Sequence, residues 1–507
     1  MEYILVVDFG GQYAHLIMRR IRELNVYSEV ASAYTGLGEL KNLIRGSLGV
    51  ILSGGPGSVW EQHHDDIVKI ALEEDKHLLG ICYGHQLIAK VLGGVVGKAS
   101  NPEFGPTLLT IKVKDPLFAT IPNFISVWMS HNDSVLEPPK GAIILASSPG
   151  SPVAAFRFGN RVYSVQWHPE VAHSMYGIEL LNNWLRIVGA PRNWRPEVMV
   201  EELVHKVWEA VGESKAVAAV SGGIDSTVAA LIAHKALGSR LYPVIIDHGL
   251  HPEGEPWRSL ELLRKTGLEA KLIDASDRFY EALRGVRDPE GKRRVFGAVY
   301  AKVLEDYAES VGAEYLVQGT IYPDVIESGA RPGASIIKTH HNVAGLPAAF
   351  KLKLVEPLKW FYKDEVRRIA RKLKVPEEII KRQPIPGPSL AVRIEGEVTR
   401  EKIEIVRKAD AILREEIEAA GLQDRLWQYF TILLESKATG VKGDERVYGN
   451  VIAVRAVASV DAMTASIARL PWEMLENIAS RIASEVPSVV RVVYDLTSKP
   501  PATIEWE

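Results

Sequence analysis

Short apolar runs alternate with glycine-rich turns and helical stretches through the first 190 residues. Four apolar runs have the length of buried strands, each closely followed by a turn signal: 4–9, 50–52, 78–81 and 162–165. Strands that alternate with helices predict an α/β domain whose functional groups lie at the strand ends. The stretch 189–196 breaks the pattern and is predicted to be a linker.

A second set of strand, turn and helix units follows this linker. Apolar residues at helical spacing predict a helix over 200–211. The next elements are a strand over 216–220, a turn over 221–226, a helix over 227–237, and strands over 241–246 and 315–317. This pattern predicts a second α/β domain, which ends near Arg382, before the proline-rich stretch 384–388.

The remaining residues predict an α+β domain. A charged helical stretch over 399–420 precedes two β-rich runs, 451–457 and 489–496. In the second run one face is apolar throughout and the other is half polar. The fold class is therefore α/β multidomain. Its predicted domains are 1–190, 197–383 and 384–507.

Composition narrows the function classes. A chain of 507 residues is too long for one ordinary domain, and 60 basic against 63 acidic residues give a net charge of −3. Proteins that bind nucleic acid usually carry a basic excess. No apolar run reaches the roughly 18 residues of a membrane span, and the chain begins with a strand-like segment rather than a signal peptide. We expect a cytoplasmic protein with no nucleic-acid or membrane partner.

The single cysteine, Cys82, lies between an apolar strand and a helical run over 86–92. Residues 80–84 have the form G-x-C-x-G, and the two glycines allow a tight turn that presents a nucleophile. A helix N-terminus favours the thiolate form of a cysteine. A lone cysteine is otherwise a buried filler.

A base and an oxyanion hole are also present in the sequence. His168 and Glu170 are two residues apart after a strand, so on an extended segment both side chains point the same way and Glu170 orients His168. The turn 53–57 offers a backbone N–H at Gly55, and Tyr83 offers a second. Each feature alone has a structural explanation, but the three roles are complementary and favour a catalytic site.

These residues resemble the class I glutamine amidotransferase family. Five motifs appear in the family's order: 8–12, 53–57, 80–86, 130–133 and 166–170. The resemblance implies a catalytic triad of Cys82, His168 and Glu170, a γ-glutamyl thioester on Cys82 and release of ammonia. It also implies that Gln86, Ser130 and His131 position glutamine.

A second turn, after the strand 216–220, has the character of a phosphate-binding loop. Its backbone N–H groups and hydroxyls form a nest for a polyphosphate at a helix N-terminus. The predicted ATP-binding residues are Ser221, Gly222, Gly223, Ile224, Asp225, Ser226 and Thr227. No lysine follows the glycines, so this is not a Walker A motif. Asp225 would repel phosphate, and its predicted role is to hold Mg²⁺ against the pyrophosphate part of ATP.

This loop resembles that of the N-type ATP pyrophosphatases, which include the GMP, NAD and asparagine synthetases. The resemblance implies cleavage between the α- and β-phosphates, so that a substrate oxygen is adenylated before a nitrogen nucleophile displaces AMP. The loop alone leaves the substrate open.

Three further segments resemble the GMP synthetase family: 318–328, 338–347 and 495–507. This resemblance implies that glutamine, ATP and xanthosine 5′-monophosphate (XMP) are the substrates and that 384–507 forms a homodimer. The residues it implies for XMP binding are Arg293, Lys338, Lys499, Ile504 and Glu505.

Two alternatives and four departures from the family pattern accompany this interpretation. One alternative is another glutamine-dependent adenylating ligase, such as an NAD synthetase, which lacks the 499–507 motif. The other is a nucleotide-binding regulatory protein with decayed chemistry, against which the intact candidate residues argue. The departures affect nucleotide contacts and the segment 338–347, and they lie at His248, His251, Ala344 and Ser389.

Overall fold

A computed structural model describes residues 2–327, 350–459 and 465–507 of the chain. These residues divide into two compact units, with the division between Arg195 and Pro196. Each unit has its own sheet structure and its own hydrophobic core. Within the described ranges, no helix is long and apolar enough to cross a membrane.

The first unit is built on one nine-stranded sheet. Its strands are β1 (Ile4–Asp8), β2 (Ser28–Ser32), β3 (Gly49–Leu52), β4 (His77–Ile81), β5 (Val95–Ile111), β6 (Phe124–Glu137), β7 (Ile143–Ser147), β8 (Ala155–Phe158) and β9 (Val162–Val165). Its helices are α1 (Ala14–Glu23), α2 (Leu37–Gly46), α3 (Asp65–Glu73), α4 (Tyr83–Val91) and α5 (Gly177–Val188). The strand order is β2-β1-β3-β4-β9-β8-β7-β5-β6.

Parallel pairing brings the motifs of the first unit to one edge of this sheet. Strand β4 pairs in parallel with both β3 and β9, so the carboxyl ends of the three strands lie together. Ser53, Cys82 and Gln166 are the residues that follow these three ends. Leu52 and Leu78 are fully buried in the core below. Segments more than 80 residues apart in sequence therefore meet around Cys82.

The second unit begins with a five-stranded parallel sheet and its helices. The elements are α6 (Val200–Val211), β10 (Ala216–Ala219), α7 (Ile224–Leu237), β11 (Leu241–Asp247), α8 (Glu255–Lys265), β12 (Lys271–Asp274), α9 (Ser276–Leu283), α10 (Pro289–Val311), β13 (Tyr315–Val317), α11 (Tyr322–Glu327), β14 (Lys353–Val355), α12 (Lys363–Lys372) and α13 (Glu377–Ile380). The strand order is β12-β11-β10-β13-β14, so the direction of winding reverses at β10. Ligands bind at such a reversal, beyond the carboxyl ends of the strands, and residues 221–227 follow β10 there.

The last part of the chain forms a second sheet in the same unit. Its elements are α14 (Arg400–Ala419), β15 (Gln428–Lys442), β16 (Glu445–Ala458), β17 (Ser466–Ile467), α15 (Trp472–Glu485) and β18 (Val489–Tyr494). Strand β16 pairs antiparallel with β15 and β17 and parallel with β18. One core cluster contains Val217 and Leu316 from the parallel sheet together with Val406 and Ile452 from α14 and β16.

The structure confirms the predicted α/β multidomain class. Helices α4 and α7 begin at Tyr83 and Ile224, three residues before their predicted starts, because each glycine turn leads directly into the first helical turn. The predicted linker contains the division between the two units. Residues on both sides of 384 share a core, and the predicted division into three domains stays a prediction.

Candidate active sites

Cys82 lies at the sharp turn between β4 and α4, with a backbone φ of 53°. This left-handed conformation is strained for a residue other than glycine. The flanking glycines leave no space for side chains: a Cβ on Gly80 would lie 2.6 Å from the carbonyl oxygen of Gly84, and a Cβ on Gly84 would lie 2.3 Å from that of Leu52. The Cys82 N–H donates to the carbonyl of Val165 at 2.9 Å, which fixes the turn. The thiol is therefore held at the start of α4.

His168 and Glu170 form a buried pair beside this thiol. The distance from His168 Nδ1 to Glu170 Oε1 is 2.7 Å, and Glu170 is fully buried. Two further contacts fix the segment: Arg20 Nε donates to the Glu170 carbonyl at 3.0 Å, and Ser174 Oγ donates to the His168 carbonyl at 2.5 Å. The ring of Tyr13 meets the imidazole edge to face, with the centroids 5.0 Å apart.

The electrostatics of this pair favour a charged imidazole. Burial alone would lower the pKa of His168, but Glu170 and Cys82, each with a hydrogen bond to the ring, raise that pKa well above its ordinary value. A raised pKa favours the protonated form of His168. The geometry thus places a base, oriented by a carboxylate, beside the Cys82 sulfur, as a cysteine nucleophile needs.

Gly54 is the residue of the 53–57 turn that lies against this pair. A Cβ on Gly54 would be 2.9 Å from His168 Cε1 and 3.7 Å from Cys82 Cβ. Gly55, which the sequence analysis selected as an oxyanion donor, packs against Phe9, where its Cβ would lie 2.8 Å from that of Phe9. Tyr83 is the first residue of α4, so its N–H has no intrahelical acceptor. The oxyanion roles of Gly55 and Tyr83 stay predictions.

The predicted glutamine-positioning residues lie around the same thiol. Cys82 Sγ is 3.6 Å from the Ser130 carbonyl oxygen and 3.8 Å from Gln166 Nε2. Gln86 Nε2 donates to the Asp133 carbonyl at 2.7 Å and to Gln166 Oε1 at 3.2 Å. Gln166 stands in the motif 166–170, and the sequence predicts no role for it. Its contact with sulfur could be found only once β9 was placed beside β4.

The predicted phosphate loop joins β10 to α7. Gly222 has φ of 76°, and a Cβ there would lie 2.2 Å from Ser259 Oγ, so the position excludes a side chain. Ser226 Oγ and Thr227 Oγ1 both donate to the Gly223 carbonyl, at 3.2 and 2.8 Å. Thr227 is fully buried. These two hydroxyls brace the loop, and the backbone N–H groups at the start of α7 are the groups that could bind an anion. The ATP-binding roles of residues 221–227 stay predictions.

Asp225 faces a lysine that the sequence analysis missed. Lys363 Nζ, at the start of α12, is 2.5 Å from Asp225 Oδ2. Asp225 Oδ1 is buried and has no hydrogen-bond partner among the described residues. A hard cation would take such a carboxylate oxygen.

Two residues outside the loop pack against its backbone. A Cβ on Gly319 would lie 2.5 Å from the Ser226 backbone nitrogen. Arg382 Nη1 donates to the Gly222 carbonyl at 2.7 Å. Neither contact could be read from the sequence, because the first requires β13 beside β10 and the second joins residues 160 apart.

Two of the predicted XMP-binding residues are held by the C-terminal segment and its neighbours. Arg293 donates from Nη2 to the carbonyl oxygen of Glu507. Glu505 receives two hydrogen bonds from the buried Arg393, at 3.0 and 3.1 Å, and one from Gln428 at 3.0 Å. The structure therefore brings α10 and the chain end together.

For two of the other predicted XMP-binding residues, the structure gives contacts of the backbone. The buried Arg455 donates to the backbone carbonyl of Ile504 at 2.7 Å. Lys499 pairs through its backbone with Ala465. Lys338 lies outside the described residues. The XMP-binding roles of these residues stay predictions.

Three of the four departures from the family pattern, His248, His251 and Ser389, lie within the described residues. The His248 and His251 rings stack with their centroids 3.6 Å apart. Burial, followed by the neighbouring His251 and Arg407, holds the pKa of His248 well below its ordinary value. Ser389 has φ of 53°, a conformation that a glycine adopts without strain. Ala344 lies outside the described residues.

The substitution Glu170→Gln tests the charge on His168. It removes the carboxylate at nearly constant size, so the pKa of His168 falls and the imidazolium is lost at neutral pH. We expect iodoacetamide to alkylate Cys82 about tenfold more slowly at pH 7, measured by mass spectrometry of the Cys82 peptide. Glu179→Gln, an exposed change in the same unit, is the matched control and leaves the rate unchanged. Equal alkylation rates in Glu170→Gln and the unaltered protein would contradict this role of Glu170.

Comparisons with known proteins agree with this geometry. Three family models match the chain: glutamine amidotransferase class-I over residues 5–188, NAD synthase over 197–320, and GMP synthase C terminal domain over 415–506. A GMP synthase [glutamine-hydrolyzing] from Aeropyrum pernix is 65% identical over 504 residues, which cover 99% of this chain and 98% of that protein. The corresponding protein of Pyrobaculum aerophilum is 50% identical over 507 residues and covers 100% of both chains. The chain therefore belongs to the family of glutamine-hydrolysing GMP synthases.

Proposed function

We propose that this protein converts XMP to GMP, with glutamine as the nitrogen donor and ATP as the energy source. The balanced reaction consumes XMP, ATP, glutamine and water, and gives GMP, AMP, pyrophosphate and glutamate. The observation that carries this proposal is the combination, in one chain of this family, of a Cys82–His168–Glu170 cluster with an ATP-pyrophosphatase-like loop over 221–227.

In the first reaction the thiolate of Cys82 attacks the side-chain amide carbon of glutamine. The N–H groups of Gly55 and Tyr83 stabilise the oxyanion, and His168 gives its proton to the departing ammonia. Water then hydrolyses the γ-glutamyl thioester to glutamate, with His168 as the base. The hydrogen bond that His168 Nδ1 donates to Glu170 supports the proposed role of His168, because it fixes the ring orientation.

In the second reaction the loop 221–227 binds the phosphates of ATP. The O2 oxygen of XMP attacks the α-phosphorus, pyrophosphate leaves, and ammonia then displaces AMP from C2. The loop has little proton transfer to perform, because its task is to position the phosphates and offset charge on the departing pyrophosphate. The braced backbone amides at the start of α7 support this role.

We propose that Asp225 holds the Mg²⁺ that accompanies ATP. The buried Oδ1 atom, which has no donor within the part of the chain that the structure describes, supports this role, because such a carboxylate oxygen fits a magnesium ion. The ion would neutralise charge on the pyrophosphate. The Lys363 ammonium beside Oδ2 adds positive charge at the same position.

We also propose a homodimer formed through residues 384–507. Val441 and Tyr448 lie on the same face of the β15–β16 hairpin, since Val441 pairs with Arg446 and Tyr448 with Thr439. Each of the two apolar side chains is 74% exposed. An exposed apolar face of this kind supports association with another protein surface.

The substitution Cys82→Ala separates the two reactions. We expect glutamine-dependent GMP formation to disappear, while GMP formation with added ammonium salts stays within about twofold of the unaltered protein, because only the nucleophile is lost. Chromatographic measurement of GMP, AMP and ADP checks this outcome. Formation of ADP, turnover of deamido-NAD in place of XMP, or absence of any turnover would overturn the proposed function.

The substitution Asp225→Asn tests the metal site. With the charge removed, ammonium-dependent GMP formation should fall about a hundredfold, and the loss should be partly reversed at high Mg²⁺. Iodoacetamide alkylation of Cys82, in the other unit, should not change. The exposed Asp424→Asn is the control. Unchanged Mg²⁺ dependence in Asp225→Asn would exclude Asp225 as a ligand.

The substitution Tyr448→Glu tests the homodimer. A carboxylate on the exposed hairpin face opposes burial of that face, so we expect the dimer to dissociate at concentrations where the unaltered protein remains dimeric. Sedimentation equilibrium reports the mass directly. A monomeric unaltered protein would contradict the proposal.

A further inference from the structure

Glu103 is a buried carboxylate of the first unit that lies outside the Cys82–His168–Glu170 cluster. Its side chain is 5% exposed and has three hydrogen-bond donors around it. Oε1 accepts from the Gly150 backbone N–H at 2.8 Å, whereas Oε2 accepts from Ser148 Oγ at 2.7 Å and contacts His131 Nε2 at 3.1 Å. A buried carboxylate with this many donors is tightly fixed.

The contact with His131 crosses the β5–β6 pair. Glu103 and His131 are direct partners in the register of these strands, immediately after an irregularity between Lys98 and Glu103. His131 Nδ1 faces the carbonyl oxygen of Asp133 at 3.0 Å. Both ring nitrogens therefore have fixed partners, and the imidazole cannot rotate without breaking two contacts.

This pair is connected to the thiol by two routes. Ser130 precedes His131, and its carbonyl oxygen lies 3.6 Å from Cys82 Sγ. The Asp133 carbonyl that contacts His131 also accepts from Gln86 Nε2 at 2.7 Å. Gln86 in turn contacts Gln166, whose amide lies 3.8 Å from Cys82 Sγ. Loss of the Glu103 side chain would therefore affect the surroundings of the thiol both through Ser130 and through Gln86 and Gln166.

We propose that Glu103 is a positioning residue for glutamine hydrolysis, which acts by fixing His131 and thereby the segment 130–133 that borders Cys82. This inference rests on the proposed function, since it concerns the glutamine-binding side of that reaction. Glu103 does not contact Cys82 in this network. Its effect is on the fit of glutamine beside the thiolate, because the groups that it fixes line that side of the site.

Two substitutions distinguish the geometry of this network from its charge. Glu103→Ala leaves His131 Nε2, Ser148 and Gly150 without their buried partner. Glu103→Gln retains an oxygen for the Gly150 N–H and an amide that can donate to His131 Nε2. The contact between His131 Nδ1 and the Asp133 carbonyl is unaffected by this change. The glutamine variant should therefore preserve the position of segment 130–133.

Steady-state kinetics on the full chain provide the test. We expect Glu103→Ala to raise the KM for glutamine about tenfold, with ammonium-dependent GMP formation unchanged within about twofold. Glu103→Gln should restore the KM for glutamine to within about threefold of the unaltered protein. Glu137→Ala, an exposed change on β6, is the control and should alter neither activity.

Three outcomes would overturn the proposal. An unchanged KM for glutamine in Glu103→Ala would show that the network does not position the substrate. A loss in Glu103→Gln as large as in Glu103→Ala would assign the effect to charge instead of position. A fall in kcat with glutamine at constant KM would place the effect on chemistry and not on substrate fit. Failure of the proposed function itself is recognised separately, because the unaltered protein would then make no GMP from either nitrogen source.

Discussion

A backbone packed so closely that a side chain has no space, at two turns from strand to helix, is the constraint on which the geometry of both units depends. At the first turn the Cα of Gly84 lies so close to the carbonyl of Leu52 that a methyl group cannot be placed between them. At the second, Gly222 has a positive φ and faces Ser259 and Arg382 with no space for a Cβ. Each turn can therefore be short, and the helix begins almost at the end of the strand. One turn holds the buried Cys82 sulfur at the start of α4, and the other leads into the first N–H groups of α7.

Charge in these sites is arranged in pairs. Glu170 compensates His168, Lys363 compensates Asp225, and buried donors surround Glu103. An isolated buried charge is costly, so each partner makes the charge opposite it easier to accommodate. The raised pKa of His168 and the Asp225 Oδ1 atom, which has no partner among the described residues, are the features on which the proposed roles of these two residues rest.

The sequence was informative where function depends on local geometry. The strands, the two glycine turns and the spacing of His168 and Glu170 could be predicted because each depends on residues adjacent in the chain. Gly54, Lys363 and Arg382 could not, because their contacts join segments that the sheets bring together from far apart in sequence. Thr227 shows a different limit. The sequence does not reveal that its hydroxyl donates to the Gly223 carbonyl within the first turn of α7, and its predicted ATP-binding role stays a prediction.

The continuous core of the second unit has a consequence for how two substrates are aligned. Val217 and Leu316, in the strands β10 and β13, belong to the same packed cluster as Val406 in α14 and Ile452 in β16. Close-packed interiors have low compressibility and transmit displacement instead of absorbing it. The distance between the loop 221–227 and the C-terminal sheet is thus set by the close packing of these side chains. A reaction that requires an oxygen and a phosphorus atom to approach in line benefits from a spacing that thermal motion cannot readily change.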